Sequence, residues 1–316
     1  MKKTFYILWL VSSSITQTVS AQPIQGMKGT VTISGAWALY PMTVKWAEEF
    51  QKEYPKVRVD VAAGGAGKGM ADALAGIVDI GMVSRDIYPQ EIEKGAWWIP
   101  VTKDAVVPTI NGNHPGLEAL LSQGVSREIF EGIWISGTIT TWNQVNKKNG
   151  NQQIHIYTRS DACGAAEVWA RYLGKNQEDL LGVGVYGDPG LAEAVKKDVL
   201  GIGFNNINYA YDPDSKLPIS GIKIVPIDLN SNGQMDSDEQ FYANRDAIIA
   251  AIAAGKYPSP PARNLNFVCH GMPTKPLVLT FIKWVLSSGQ KFVTESGYIT
   301  LSEQKLQEQL KKIEAK

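Results

Sequence analysis

The sequence predicts an α/β fold of two lobes, each a mixed sheet flanked by helices, with a hinge of two crossovers. Three observations predict it. Strand-like and helix-like stretches alternate from Val31 onward, glycine-rich joins stand between strands and helices, and two extended runs, 97–111 and 257–263, interrupt the alternation where a chain would cross between lobes. The 316 residues, 44% hydrophobic and 20% charged, are enough for two cores. Thirty Gly and 16 Pro fall well short of a disordered composition.

Taken in order, Val31 to Ser34 is a short β-prone run. Pro41 opens a helix with Trp46, Ala47 and Phe50 on one side and Glu48, Glu49 and Gln51 on the other, and Pro55 stops it. Val57 to Val61 alternates and enters the loop Gly64-Gly65-Ala66-Gly67. Met70 to Ala75 reads as a helix and Val78 to Val83 as a buried strand. This βαβ rhythm implies a mostly parallel sheet with helices on both faces, and ligands in such sheets sit where strand ends meet helix starts. A second such region runs from Ile129 to Phe204, with IHIY at 154–157, a helix from near Gly164, and VLGIGF at 199–204. The rigid YPSPPAR run at 257–263 is the return crossing. Leu265 to Cys269 then forms a strand, followed by an apolar helix from Pro276 to Leu286 that Gly289 would cap. The predicted division is 27–104 for the first part of lobe 1, 105–263 for lobe 2, and 264–316 for the second part of lobe 1.

Lys2 and Lys3, the apolar Phe5 to Val11, and the small-residue pattern Val19-Ser20-Ala21 make residues 1–21 a cleavable secretory signal peptide. Gln22 stands where a lipoprotein would need Cys, and no later stretch approaches about 18 apolar residues. A periplasmic, monomeric protein not inserted in a membrane is expected. Basic and acidic residues balance at 31 each, or 29 against 31 without Lys2 and Lys3, which removes a basic nucleic-acid footprint. Two Cys and 3 His cannot assemble a four-ligand zinc site of standard spacing or a disulfide framework.

Three joins place small residues between a strand and a helix: Ser34-Gly35-Ala36-Trp37, the 64–67 loop, and Ala162-Cys163-Gly164-Ala165. A helix's first turn carries unpaired N–H groups and partial positive charge, so three such starts facing one cleft could hold an anion. Arg159 would add a planar fork matched to a tetrahedral oxyanion. Asp161 either orients Arg159 or accepts a proton from a protonated oxyanion, the first being favoured because a bare carboxylate beside an anion is costly.

SGAWALYP (34–41), GGAGKG (64–69), VDIGMVSRDI (78–87), IFEG with GTITTW (129–142) and YTRSDACGAAE (157–167) together resemble, in order and over nearly the whole mature chain, the periplasmic phosphate-binding components of ABC phosphate importers. The resemblance implies a type II periplasmic binding fold that closes on its ligand and delivers it to an ABC permease in the inner membrane. It also implies ligand contacts from the first loop (Ala36, Trp37), the Gly-rich loop (Ala66), the position after the buried strand (Ser84), and Arg159, Asp161, Cys163, Gly164 and Ala165. Arg159, Asp161, Gly164 and Ser84 agree with the family pattern. Ala36 and Trp37 stand in place of Ser and Thr, Ala66 and Cys163 in place of Ser, and Ala165 in place of Thr. Each missing hydrogen bond to a charged ligand costs roughly 1.5–3 kcal/mol, so backbone amides would have to compensate, and Trp37 could mark a pocket remodelled for a bulkier or partly apolar anion.

Residues 228–239, DLNSNGQMDSDE, fit a calcium-loop template, with Asp228, Asn230, Asn232, Gln234 (through its carbonyl), Asp236 and Glu239 as ligands and Gly233 at the sharp turn. The strand-like GIKIVPI before it argues for a lone structural Ca2+ loop rather than a paired sensor. The AAGGAGKG run at 62–69 lacks the first Gly and the hydroxyl residue of a nucleotide P-loop, and His114, His155 and His270 show no metal spacing. Cys163, at a helix start near Arg159, would have a favoured thiolate, and a Cys163–Cys269 disulfide is allowed by the compartment. The expected function is non-enzymatic capture of a small oxyanion, phosphate or phosphate-like, for ABC import. The alternatives are a non-transport sensor or scaffold on the same fold, and a thiol enzyme using Cys163.

Overall fold

In the computed structural model residues 26–314 are described, so the segment read as a signal peptide lies outside the described residues. The first strands are β1 (Gly29–Gly35), β2 (Val57–Ala63) and β3 (Ile80–Val83), with β1 parallel to both others. Between β1 and β2 lies the helix Tyr40–Glu53, which buries Met42, Trp46 and Phe50 at four-residue spacing. Pro41 sits in its first turn, where a missing N–H costs nothing, and the helix ends before Pro55. The helix Ala66–Leu74 starts directly on the glycine loop, four residues earlier than its apolar pattern suggests.

The crossing read at 97–111 is one long strand, β4 (Ala96–Asn111). Lobe 2 follows with β5 (Val125–Ser126), β6 (His155–Arg159), β7 (Val183–Val185), β8 (Gly201–Asn206), β9 (Ile222–Ile224) and β10 (Ile227–Asp228). The last strand, β11 (Ala262–His270), returns to pair with β3 and β4. The main sheet runs β2-β1-β3-β11-β4-β8-β6-β7, with β9 also on β4. It is less parallel than the βαβ rhythm implied. β4 and β11 are shared between the lobes and run antiparallel to every neighbour they have in this sheet, because a chain that crosses and returns must reverse.

Two cores flank this hinge. One holds Val31, Trp46, Phe50, Ile99, Phe267 and Phe281, drawn from both ends of the chain. Its aromatics meet edge to face, Trp46 on Phe267 at 5.9 Å and Phe50 on Phe281 at 5.2 Å. The other gathers Val107, Trp134, Trp169, Phe204 and Ile227. The helix Pro276–Leu286 forms as read, but Gly289 does not cap it. Ser287 is the C-cap and a 3-10 turn, Ser288–Phe292, continues the chain. Gly289 instead accepts the Trp46 indole N–H at 2.8 Å, and a Cβ there would lie 3.0 Å from the Trp284 ring.

Candidate functional site

The three joins meet across the hinge. The Gly67 N–H, at the start of the Ala66 helix, donates to the Ala162 carbonyl at 3.0 Å. Gly164 opens the helix Gly164–Tyr172 against Ser84, so close that a Cβ would stand 2.2 Å from the Ser84 carbonyl oxygen. A fourth join, unread in the sequence, completes the ring: Gly187, at φ +73°, starts the helix Gly187–Lys197 beneath Trp37, and a Cβ there would come within 3.2 Å of the indole. Glycine lets backbones from two lobes approach to contact distance.

Arg159 is the buried centre of this ring. Its Nε and Nη2 donate to the two Asp161 oxygens at 2.8 and 2.7 Å, and its Nη1 donates to Asp188 Oδ2 at 2.5 Å. Burial works against the charge, and the field of Asp188, together with the hydrogen bonds and charge of Asp161, outweighs it, so the guanidinium pKa is raised. Asp161 also accepts the Gly187 N–H at 3.2 Å, and Asp188 accepts the Asn206 N–H at 3.1 Å. Two carboxylates thus fix one cation in a single orientation.

The remaining candidates divide. The Ala36 N–H donates to Met82 O at 2.9 Å, which corrects its reading as a ligand donor: the β1–β3 join consumes that amide. The amides of Ala66, Gly164 and Ala165 have no partner among the described residues. Trp37 stands between Tyr40 and Tyr186, with ring centroids at 6.4 and 6.3 Å, and its carbonyl accepts the Tyr209 hydroxyl at 3.2 Å. Its indole therefore covers the lobe 2 join. Ser84 is buried, and its carbonyl accepts Arg263 Nε at 3.0 Å.

Cys163 corrects the thiolate expectation. It caps its helix by accepting the Ala166 N–H at 3.4 Å, and burial pushes its thiol up to about 12 despite Arg159 nearby. Both cysteines are free thiols, and they lie in different cores, so the allowed disulfide is not formed. Sequence reading missed four residues. Gln177 clamps the third join, donating to Asp161 O at 2.8 Å and accepting the Cys163 N–H at 3.1 Å. Asp188, Asn206 and Arg263 were missed too; the nearest signal was Gly187, two residues past the Val183–Val185 strand, which marks a join but not the Asp188 side chain.

In the 228–239 loop, Asp228 accepts the Asn232 and Gly233 N–H groups at 3.2 and 2.8 Å, while Glu239 accepts those of Leu229 and Asp236 at 2.7 and 3.1 Å. The Asn230 and Asn232 amides both donate to Asp236 at 2.8 Å. Among the described residues no three His, Cys, Asp or Glu side chains are gathered closely enough to hold a metal ion. A cavity of about 590 Å³ is lined by Lys103, Arg171, Arg263 and the Tyr257–Pro260 turn.

Residues 18–288 match the family model of a PBP superfamily domain. The phosphate-binding protein PstS of Methanocaldococcus jannaschii is 27% identical, the match covering 90% of this chain and 86% of that one. The protein SphX of Synechococcus elongatus is 26% identical, over 89% and 80%. Among solved structures, a Clostridium perfringens protein with bound phosphate superposes at TM-score 0.70, with 20% identity, covering 87% of this chain and all of that one. An ABC-type phosphate transport receptor of Vibrio cholerae gives TM-score 0.62 at 20% identity, over 86% and 100%. With its two-lobed mixed sheet and four joins converging on a buried arginine, the chain belongs to the PBP superfamily.

Proposed function

We propose that this protein is an exported, non-enzymatic solute-binding protein that captures a small tetrahedral oxyanion, phosphate or a close relative, and presents it to an ABC permease of the inner membrane. The observation that carries this reading is the convergence of helix starts from both lobes on Arg159, at the C-terminal ends of parallel strands where this architecture binds ligands. The names of its relatives support phosphate. A monomer acting in the periplasm fits this role, and no helix among the described residues is long and apolar enough to cross a membrane.

The test is calorimetry with phosphate, sulfate and larger phosphorylated anions. Micromolar or tighter phosphate binding that Arg159→Ala abolishes is expected; no heat from any oxyanion would overturn the reading. A second reading, a non-transport sensor or scaffold, is favoured by one observation: Ala162 O takes the Gly67 amide while Asp161 and Asp188 take Arg159, so the protein's own groups answer these two of the site's donors. Silence in calorimetry would select it.

The 228–239 loop is proposed to bind one structural Ca2+. The support is the order of donors along the chain, three carboxylates, two amide oxygens and a backbone carbonyl on template spacing around a Gly233 turn at φ +79°. The ion would have to draw together carboxylates that stand apart in the loop. Millimolar Ca2+ against chelator should raise Tm in the native protein and not in Glu239→Gln; equal Tm in both conditions removes the metal from the description.

A further inference from the structure

Arg263 stands on the hinge strand β11, directly opposite Asp104 on β4. Its side chain is 5% exposed. Nε donates to the Ser84 carbonyl at 3.0 Å, the same carbonyl that Gly164 packs against. Nη2 donates to Asn206 Oδ1, and the Asn206 backbone N–H holds Asp188, which in turn holds Arg159. The guanidinium therefore lies where the end of β3, the end of β8 and the start of the Gly164 helix come together. Its Nη1 is buried without a hydrogen-bond partner among the described residues. A buried guanidinium N–H is seldom left unpaired, because it loses its water and gains nothing.

The neighbouring carboxylate does not resolve this. Asp104 Oδ2 is 3.8 Å from Nη2, and neither Asp104 oxygen has a hydrogen-bond partner among the described residues. Burial also pushes the Asp104 carboxyl up to about 7, so near neutral pH it supplies only part of a countercharge. Arg159, in contrast, has every arm of its fork on a carboxylate. Of the buried arginines near the joins, Arg85, Arg159 and Arg263, only Arg263 has a buried guanidinium nitrogen left without a hydrogen-bond partner among the described residues.

We propose that Arg263 is a second anion-binding arginine, whose Nη1 contacts the captured oxyanion from the hinge floor of the cleft. This rests on the oxyanion-binding reading and adds a donor to it. A charged N–H would offset hydroxyl donors missing at Ala66, Cys163 and Ala165, since charge-assisted hydrogen bonds are the stronger kind. It also makes the site select for charge: a dianion meets two guanidinium groups, one from each side of the Asp188–Asn206 link.

The experiment is calorimetry with inorganic phosphate at pH 5.5 and pH 8 on the wild type, Arg263→Gln, Arg263→Lys and Asp104→Asn. Arg263→Gln should bind at least tenfold more weakly at pH 8 and lose most of the preference for the dianion. Arg263→Lys, which keeps the charge but not the fork to Ser84 and Asn206, should recover that preference. Asp104→Asn, which leaves Arg263 intact and removes its competing carboxylate, should bind at least threefold more tightly, and it carries the test if Arg263→Gln does not fold. Affinity within threefold of wild type in Arg263→Gln overturns the proposal. So does equal loss in Gln and Lys variants with the pH preference unchanged, which would mark Arg263 as a tie between lobes, and so does unchanged affinity in Asp104→Asn. Absence of phosphate heat in the wild type overturns the underlying oxyanion reading as well, whereas the other failures touch Arg263 alone.

Discussion

Arg159 keeps its charge at 0% side-chain exposure because Asp161 and Asp188 meet it there, and Cys163, two residues beyond Asp161, is neutral for the opposite reason. A thiol pushed up to about 12 by burial has almost no thiolate at neutral pH. Native protein should therefore react with iodoacetamide far more slowly than free cysteine; a rate equal to the free thiol would contradict the buried geometry. Cys163→Ser places a stronger donor and acceptor at the start of the Gly164 helix. If the oxyanion reaches that start, phosphate should bind about tenfold more tightly, the equivalent of a hydrogen bond of about 1.4 kcal/mol, and titration of the variant checks it. At this scale the sequence was partly legible. Arg159 and Asp161, two residues apart on one strand end, announced a local pair. Asp188 and Arg263 did not, since their partners lie 29 residues away (Arg159–Asp188) and 57 residues away (Arg263–Asn206) and no local pattern encodes such contacts.

Among elements, the joins matter more than the strands and helices they connect. The helices at Tyr40 and Pro276 were readable because apolar spacing and proline position are local properties, and both form close to where the pattern places them. Gly289 was misread because its role depends on Trp46 and Trp284 rather than on its own helix. Gly164 shows the same nonlocal demand at the site. A Cβ there would meet Ser84 O at 2.2 Å and Ser84 Oγ at 2.3 Å, so Gly164→Ala must push the lobes apart. Overpacking of this kind costs about 1–3 kcal/mol, so phosphate affinity should fall tenfold or more. Tm of the unliganded protein should change little, because the contact joins two lobes rather than the interior of either. A large Tm loss with unchanged affinity would place the strain elsewhere.

The molecule as a whole is two cores hung on β4 and β11, and the hinge contains a titrating group. Asp104, with 0% exposure, has its carboxyl raised to about 7 by burial, against an ordinary value of 3.8. Between those values the folded state holds the proton that the unfolded state has released. Stability should then decline as pH rises from about 4 to about 7 and level off above, and Asp104→Asn should flatten that decline. His114 acts in the other direction. Burial lowers it to about 4, so it costs stability as pH falls from 6.5 toward 4, and His114→Gln should soften that acid limb. Denaturant titrations across this range separate the two limbs. If Asp104→Asn reproduces the wild-type profile, the hinge carboxyl titrates at its ordinary value.

β11 enters the sheet between β3 and β4, so the lobe whose strands come first in the chain is finished by a strand some 180 residues later. A chain emerging from its N-terminus has β1, β2 and β3 in hand but exposes the edge of β3 until residue 262 arrives, whereas lobe 2 has all its own strands by then. Vectorial synthesis or export would leave the earliest-made half waiting with an open template edge, and the later-made half mature beside it. A holdase that shields unpaired strand edges would act on this protein during that interval, and a fragment ending at residue 261 should keep the lobe 2 aromatic cluster while leaving the first lobe protease-sensitive.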